Sequence, residues 1–411
     1  MQGAIIDPIM LRRTLFGLAP ALMMAGTRRP WKEVERMLDT GGFKGRLSVD
    51  DLPTPALLVD LDALGWNIAR MAAHCKQKRL ALRPHGKTHK CPEIAKLLIA
   101  AGAVGVCAAK LSEAEAFAKG GIGGLLVTTA VIGQHKIERA VALARLKPET
   151  TFCVDNPRNA AELDEAARAA KLKLNVAIDL YVGNRTGIKT GAPAAALAME
   201  IDTLKGLKLA GLQAYAGHAS HRNGFEARRE LSRNVMTTAV DTKKMIEAAG
   251  IACPLLTGGS TGTYNIDSDI AGITELQPGS YIFMDIDYAR IGGQEGEVFN
   301  DFRHSLTVLT TVVSKPSDAE AVVDGGLKAF STDKPFMPIA KGIEGIGFAW
   351  GGDEHGRLNL SKASRAVALG DRLEFVIPHC DPTVNLYGRM FGVRGRQVET
   401  CWAVTARGMS Q

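Results

Sequence analysis

The chain has 411 residues, with 50 Lys and Arg against 43 Asp and Glu and a formal net charge of +7. That length exceeds one small core and suits a large α/β barrel with a second module. The basic residues are scattered and not interleaved with aromatics, which argues against a nucleic-acid footprint. Seven widely spaced Cys with no CxxC pair fit reduced thiols better than a disulfide framework.

Residues 1–45 read as an N-terminal extension. Within it, Arg12-Arg13 precedes the short apolar stretch from Leu15 to Met24 and then Ala25-Gly26. A twin-arginine export signal has this arrangement, although no clean A-x-A cleavage site follows. A cytoplasmic protein is expected, with periplasmic export through Arg12-Arg13 as the alternative. The stretch is too short to span a bilayer, and no other segment is long and apolar enough, so no membrane partner is expected.

From residue 54 to 295, strand-like and helix-like segments alternate. The strands are expected at Arg79 to Arg83, Val104 to Ala109, Gly124 to Thr128, Thr151 to Val154 and Lys173 to Ile178. Three more are expected at Leu207 to Tyr215, Cys253 to Leu256 and Ile273 to Leu276. Helices are expected at Pro92 to Ala101, Ser112 to Lys119, Asn159 to Ala170, Pro193 to Leu204 and Glu226 to Ala249. Pro193 suits a first helical position, and Ser112 with Glu115 has the spacing of a capping box. Eight strands alternating with helices indicate an α/β fold, a (β/α)8 TIM-type barrel. After Gly293 the texture changes to β-branched runs punctuated by Gly and Pro, as in Ser305 to Val313, Ala321 to Val323 and Leu373 to Ile377. Residues 296–411, with 46–53, therefore read as a C-terminal β-rich domain.

The chemistry concentrates in loops that follow strands, where barrels of this type place their active sites. After the first strand comes Arg83-Pro84-His85-Gly86-Lys87-Thr88-His89-Lys90, with five basic side chains in eight positions. Like-charge crowding is expected to lower the Lys87 pKa and free its amine for Schiff-base chemistry. A solvated basic loop is the plainer alternative. After the seventh strand comes Thr257-Gly258-Gly259-Ser260-Thr261-Gly262-Thr263, and after the eighth Gln277-Pro278-Gly279-Ser280-Tyr281. Both suit a phosphate, through close backbone N–H groups and hydroxyl donors. A Schiff-base lysine facing a phosphate site describes pyridoxal 5'-phosphate binding. Arg185 after the fifth strand could reach the cofactor ring or a substrate carboxylate, or be a surface arginine. Tyr215, His218 and His221 after the sixth could serve ring contact and acid–base work, or be packing residues. Finally, His379-Cys380-Asp381 follows a strand of the second domain. In an extended segment His379 and Asp381 would share one face, offering an imidazole and a carboxylate to a divalent ion such as Mn²⁺, Co²⁺ or Mg²⁺.

In order and spacing, Thr54-Pro55, the Arg83 to His89 run, Tyr215-Ala216-Gly217-His218, Gly258 to Gly262, Pro278 to Tyr281 and His379-Cys380-Asp381 carry a family resemblance. The chain resembles the D-threonine aldolase and D-serine dehydratase-like family, fold-type III pyridoxal phosphate enzymes related to alanine racemase. The resemblance implies Lys87 as the covalent anchor of pyridoxal 5'-phosphate. It implies Ser260, Thr261, Gly262, Gly279 and Ser280 at its phosphate with Tyr288 nearby, and Arg185 and Tyr215 against the cofactor. It also implies His221 near the substrate β-hydroxyl and a divalent metal on His379 and Asp381. Dehydratase-type members resemble His-x-Cys, which suits Zn²⁺; this chain has Asp, so Mn²⁺, Co²⁺ or Mg²⁺ is favoured over Zn²⁺. The implied reaction is retro-aldol cleavage of a D-β-hydroxy-α-amino acid to glycine and an aldehyde. A D-serine or 3-hydroxy-D-aspartate dehydratase or aldolase is the alternative, ahead of a racemase or a non-enzymatic pyridoxal phosphate carrier. By analogy with the fold, a homodimer is expected.

Overall fold

Asp60 is where the chain passes from one module into the other. In the computed structural model, which describes residues 29–183 and 185–411, a first helix α1 (Trp31–Thr40) precedes strand β1 (Ala56–Asp60). The Asp60 carboxylate then accepts the amides of Asp62 and Ala63 and so starts α2 (Leu61–Lys78). β1 belongs to the second module's sheet, whereas α2 packs on the barrel. The segment around Arg12-Arg13 lies outside the described residues. No helix among the described residues is long and apolar enough to cross a membrane.

The barrel strands are β2 (Ala81–Leu82), β3 (Val106–Ala108), β4 (Leu125–Val127), β5 (Thr151–Val154), β6 (Leu174–Asp179), β7 (Leu207–Ala214), β8 (Leu255–Gly258) and β9 (Glu275–Leu276). All neighbours pair in parallel, in the order β2-β9-β8-β7-β6-β5-β4-β3. The amides of Val104 and Cys107 close the ring on the carbonyls of Leu82 and Pro84, at 2.8 and 2.9 Å. Eight short strands with intervening helices meet the sequence expectation for the fold class. The intervening helices are α3 (Pro92–Ala100), α4 (Leu111–Lys119), α5 (Gln134–Leu146), α6 (Pro157–Ala169), α7 (Ala192–Thr203), the short α8 (Gly217–Ser220), α9 (Phe225–Ala248) and the short α10 (Tyr264–Asp267).

Four of the five expected helix starts move by one or two residues, with α6 beginning at Pro157 and α9 at Phe225 among them. α4 begins at Leu111, and it is the Glu113 carboxylate that accepts the amides of Ala109 and Lys110, at 2.8 and 3.3 Å. The expected capping pair is used elsewhere: the Ser112 hydroxyl donates to the Gln411 carbonyl at 2.9 Å, and Glu115 pairs with Arg139. α7 starts one residue early, so Pro193 is its second residue, where a missing N–H is equally harmless.

After α11 (Ile286–Ala289) come β10 (Leu306–Ser317), β11 (Glu320–Val323), β12 (Ile339–Ala340), β13 (Gly347–Trp350), β14 (Gly356–Asn359) and β15 (Arg372–Val376). A short α12 (Cys380–Asn385) leads to β16 (Arg389–Arg394) and β17 (Gln397–Ala403). These strands and β1 form a sheet in the order β13-β14-β11-β10-β1-β16-β17, with β15 paired to β10 and β12 to β15. Phe330, Phe348, Trp350 and Phe375 meet at ring-centroid distances of 5.2 to 6.2 Å and fill one end of this module. Phe330 thereby anchors the start of a loop, Ser331 to Pro338, that has neither helix nor strand.

The second module is locked to the barrel at Asp285. This buried carboxylate accepts the Tyr288 amide at the start of α11 and the Cys380 amide at the start of α12, each at 2.9 Å. The amides of Ile286 and Asp287 also donate to the carbonyls of Ile377 and Pro378. Residues 285–288 and 377–381 are thus held side by side, although nearly a hundred positions separate them in sequence.

Candidate active site

Lys87 sits in a single 3-10 turn, Gly86–Thr88, just beyond β2. Only Gly fits at 86, because a Cβ there would lie 2.5 Å from the Phe117 ring. The Lys87 Nζ lies 3.5 Å from Asp381 Oδ2 and 5.8 Å from the centroid of the Tyr215 ring. The Arg185 guanidinium lies over the same ring at 5.1 Å. Gly217 permits that stack, since a Cβ there would meet the Tyr215 ring at 2.8 Å and Arg185 at 3.0 Å. A cavity of about 280 Å³ opens beside Lys87, lined among others by His85, Thr128, Asp179, Arg185, Gln213 and Tyr215.

The expected lowering of the Lys87 pKa is corrected by the structure. Burial alone would lower it, but Tyr215 and the Asp381 carboxylate prevail and the net direction is upward. The basic neighbours do not crowd it. Arg83 forms a two-pronged pair with Glu275 at 2.9 and 3.0 Å, and Lys90 pairs with Glu113. Burial pushes His85 well below the usual histidine range and His89 down to about 4, so both rings are neutral at pH 7.

The two glycine-containing loops lie side by side at the barrel mouth, because β8 and β9 are paired neighbours. The Tyr281 amide donates to Thr261 Oγ1 at 3.0 Å, tying the loop after β9 to the loop after β8. The Ser260 and Thr263 hydroxyls are 2.9 Å apart, and Thr263 Oγ1 donates to the buried Asp267 at 2.5 Å. The amides of Thr261, Gly262 and Gly279 have no hydrogen-bond partner among the described residues. Gly262 cannot be larger without backbone movement, because a Cβ would sit 2.1 Å from the Ser220 carbonyl oxygen. At Gly279 a Cβ would lie 2.6 Å from Thr88 Oγ1. Unpartnered amides in a cradle with no room for Cβ atoms fit a phosphate group. Ser280 is buried beside them, and the Tyr288 hydroxyl lies 3.0 Å from Ser220 Oγ.

His221 caps the C-terminal end of α8 and packs on the Tyr288 ring, with centroids 4.7 Å apart. Its Nδ1 lies 2.9 Å from Asp287 Oδ2, and Lys334 from the Ser331 to Pro338 loop reaches the same oxygen at 2.8 Å. Burial alone would raise Asp287, but these two partners hold it at about 2. His218 is exposed and packs beside Gly183.

The His379 to Asp381 segment is not extended throughout, which corrects the sequence expectation. His379 is the extended residue before α12, and Cys380 and Asp381 are its first two helical residues. The outcome for the side chains is nevertheless similar: Cys380 is fully buried, while His379 and Asp381 are half-buried. The His379 Nδ1 is bonded to Asp333 Oδ2 at 2.7 Å, and its backbone amide donates to Ser331 Oγ at 3.0 Å. That leaves Nε2 as the nitrogen available to a ligand. Burial raises the Cys380 thiol well above its ordinary range, which keeps its sulfur a poor metal donor. Burial alone would raise Asp381, but Lys87 and His379 hold it at about 2. Among the described residues, no group of three or more His, Cys, Asp or Glu could hold a metal. One imidazole and one ionised carboxylate therefore suit an ion that keeps several waters.

Residues 59–287 match the family model of the alanine racemase N-terminal domain, and residues 305–393 match a serine dehydratase domain. A D-threonine aldolase from Arthrobacter sp. is 38% identical over 359 residues, covering 87% of this chain and 93% of that protein. The chain belongs to the D-threonine aldolase and D-serine dehydratase-like family. A second member, a 3-hydroxy-D-aspartate aldolase from Paracoccus denitrificans (strain Pd 1222), is 37% identical over 362 residues, with the same coverage of 87% and 93%. The crystal structure of a D-threonine aldolase from Filomicrobium marinum superposes with a TM-score of 0.83 at 38% identity, covering 88% of this chain and 98% of that one. Membership implies pyridoxal phosphate as the cofactor, and the cradle described above fits it.

On this aldolase and dehydratase-like scaffold, Lys87, Tyr215, Arg185, Tyr288 and Asp381 come together, and the two loops converge beside them. Thr54 of the Thr54-Pro55 motif is not among them: its hydroxyl meets Thr311 at 2.6 Å and bonds Asp324 in the second sheet. Sequence reasoning missed Asp285, Asp287, Ser331, Asp333 and Lys334. Asp285 and Asp287 lie close before and after the start of a four-residue helix, and the other three lie in a loop without a motif. The only signal was the density of carboxylates in Asp285-Ile286-Asp287-Tyr288.

Proposed function

We propose that this protein is a pyridoxal phosphate- and divalent metal-dependent carbon–carbon lyase. It cleaves D-β-hydroxy-α-amino acids of the D-threonine type to glycine and an aldehyde by a retro-aldol reaction. The observation that carries this reading is the 3.5 Å approach of Lys87 to Asp381. It brings Lys87, which we propose as the covalent anchor, beside a carboxylate at the position where His-x-Cys would favour dehydratase chemistry.

Lys87 would anchor the cofactor. Thr261, Gly262 and Gly279 would offer amides to its phosphate, Ser260 and Ser280 hydroxyls, and Tyr288 would lie nearby. Arg185 and Tyr215 would flank the ring, and His379 Nε2 and Asp381 would hold Mn²⁺, Co²⁺ or Mg²⁺. When bound, the cofactor would supply an electron sink for the charge left on Cα and the metal would acidify the β-hydroxyl. Through its Nε2, His221 receives the β-hydroxyl proton as the Cα–Cβ bond breaks. The electron pair of the broken bond is left to Cα, the aldehyde departs, and the proton gained at Cα to give glycine is balanced by the one His221 took from the β-hydroxyl. Asp333 and Ser331 hold the His379 ring and backbone in place while this happens. A homodimer is part of the reading, checked by a light-scattering mass of two chains.

The test is a product assay on D-threonine, D-phenylserine and 3-hydroxy-D-aspartate, with and without a chelator. Glycine plus an aldehyde, lost on chelation and restored by Mn²⁺, supports the reading. A 2-oxo acid with ammonia would replace it with a dehydratase. Metal-independent interconversion of enantiomers would replace it with a racemase.

A further inference from the structure

His221 is the proton acceptor in the reading above, and an imidazole needs a defined tautomer to act as one. Its Nδ1 lies 2.9 Å from Asp287 Oδ2, and its other face packs on Tyr288 at a centroid distance of 4.7 Å. Asp287 belongs to the barrel's α11, and its amide is bonded to Pro378 of the second module. Lys334 arrives from the loop that also supplies Asp333 and Ser331 to His379. Both nitrogens stand within ion-pair distance of one carboxylate oxygen, and neither contact has hydrogen-bond geometry. Catalytic pairs commonly straighten only in the reacting complex. The charged and titratable groups facing Asp287 are His221 from the end of α8 and Lys334 from the loop; Tyr288 packs on the His221 ring.

We propose that Asp287 is the positioning residue that fixes the His221 tautomer, with the proton on Nδ1 and Nε2 free for the substrate hydroxyl, and that Lys334 moderates its pull. The proposal rests on the retro-aldol reading for the identity of the proton, not for the tautomer itself. An ionised carboxylate at Nδ1 selects the Nδ1–H form and stabilises the imidazolium once the proton has arrived. Lys334 competes for the same oxygen, which keeps Asp287 ionised while weakening its hold on His221. The second module therefore reaches the barrel's acid–base residue through Lys334, from the same loop whose Asp333 holds the His379 ring.

The test uses the metal- and cofactor-loaded enzyme and the variants Asp287→Asn and Lys334→Gln. Selective 15N-histidine labelling, with nine His in the chain, reads the tautomer directly. The wild-type His221 signal is expected as Nδ1–H, changing to Nε2–H in Asp287→Asn. Turnover by Asp287→Asn is expected to fall on the order of 10²–10⁴-fold. The acidic limb of its kcat/KM profile should move to lower pH, because a stabilising negative charge is gone. For Lys334→Gln that limb should move the opposite way, with kcat within about tenfold of wild type. A merely structural role moves Tm in both variants but neither the limb nor the tautomer, and that result overturns the proposal. An Nε2–H tautomer in the wild type also overturns it. If Asp287→Asn fails to fold, the wild-type spectrum and Lys334→Gln still decide. If the wild type makes no glycine, the reaction reading fails while the tautomer experiment retains its meaning.

Discussion

The two halves of the candidate site are built differently. On the barrel side, cradle groups stand at the ends of parallel strands, and glycines hold them by leaving no room for anything else: a Cβ at Gly262 or Gly279 would meet atoms at 2.1 or 2.6 Å. On the second module's side, His379 and Asp381 sit at the start of a six-residue helix and depend on side-chain partners, His379 on Asp333 from a loop without secondary structure and Asp381 on Lys87. Steric exclusion suits a ligand of fixed shape such as a phosphate. Side-chain partnership leaves rings and carboxylates adjustable, which suits a metal site and a moving proton. Asp285 joins the two halves by accepting an amide from each.

The most severe way to break the barrel half is Lys87→Ala. Loss of both the visible absorbance of the purified protein and all turnover is expected, read by spectrum and product assay; surviving turnover contradicts the proposed anchor. The loop half is probed by Asp333→Asn, which should weaken divalent-ion affinity by about 10–100-fold in calorimetry while the far-ultraviolet circular dichroism stays unchanged. Unchanged affinity would mean that His379 needs no second partner.

A third prediction contrasts the halves by pH. Burial raises Asp267, below the loop after β8, to about 6. Its neutral form carries no charge penalty below about pH 4, and the penalty grows to on the order of 2–3 kcal/mol as pH rises through 6. Asp287, held at about 2 by His221 and Lys334, acts in the opposite sense, its contribution being present above about pH 4 and lost as pH falls toward 2. Urea denaturation should therefore show Asp267→Asn flattening stability between about pH 4 and 6 and Asp287→Asn flattening it between about 2 and 4. If each variant flattens the other's window, the signs assigned to the two carboxylates are reversed. The smallest effect is expected from Gly262→Ala, which should cost about 1–3 kcal/mol as the Ser220 backbone gives way, with weaker cofactor binding.

The barrel was legible because its signals are local. Apolar runs bounded by Gly and Pro located all eight strands, and glycine loops at two strand ends marked the segments proposed to hold a phosphate. What failed to show locally depended on distant partners. The basic run around Lys87 reads as mutual repulsion until Glu275 and Glu113, remote in sequence, take up Arg83 and Lys90. Ser112 and Glu115 have capping-box spacing, yet Glu113 wins because α4 starts one residue earlier. His379-x-Asp381 has alternation like a strand, yet α12 begins within it because Asp285 is there to accept the Cys380 amide. Asp287, Asp333 and Lys334 have no periodicity at all; their partners come from distant segments, and for Lys334 from the docking of the two modules.

A lysine-anchored cofactor and a metal at His379 and Asp381 are proposed to act jointly on one substrate. The most direct measurement is a timed product analysis of the wild-type protein with D-threonine, before and after chelation and after Mn²⁺ is returned. Glycine and acetaldehyde in equal amounts, abolished by the chelator and recovered with the metal, is the predicted result. Formation of 2-oxobutyrate and ammonia without glycine, or cleavage indifferent to the chelator, would contradict the account.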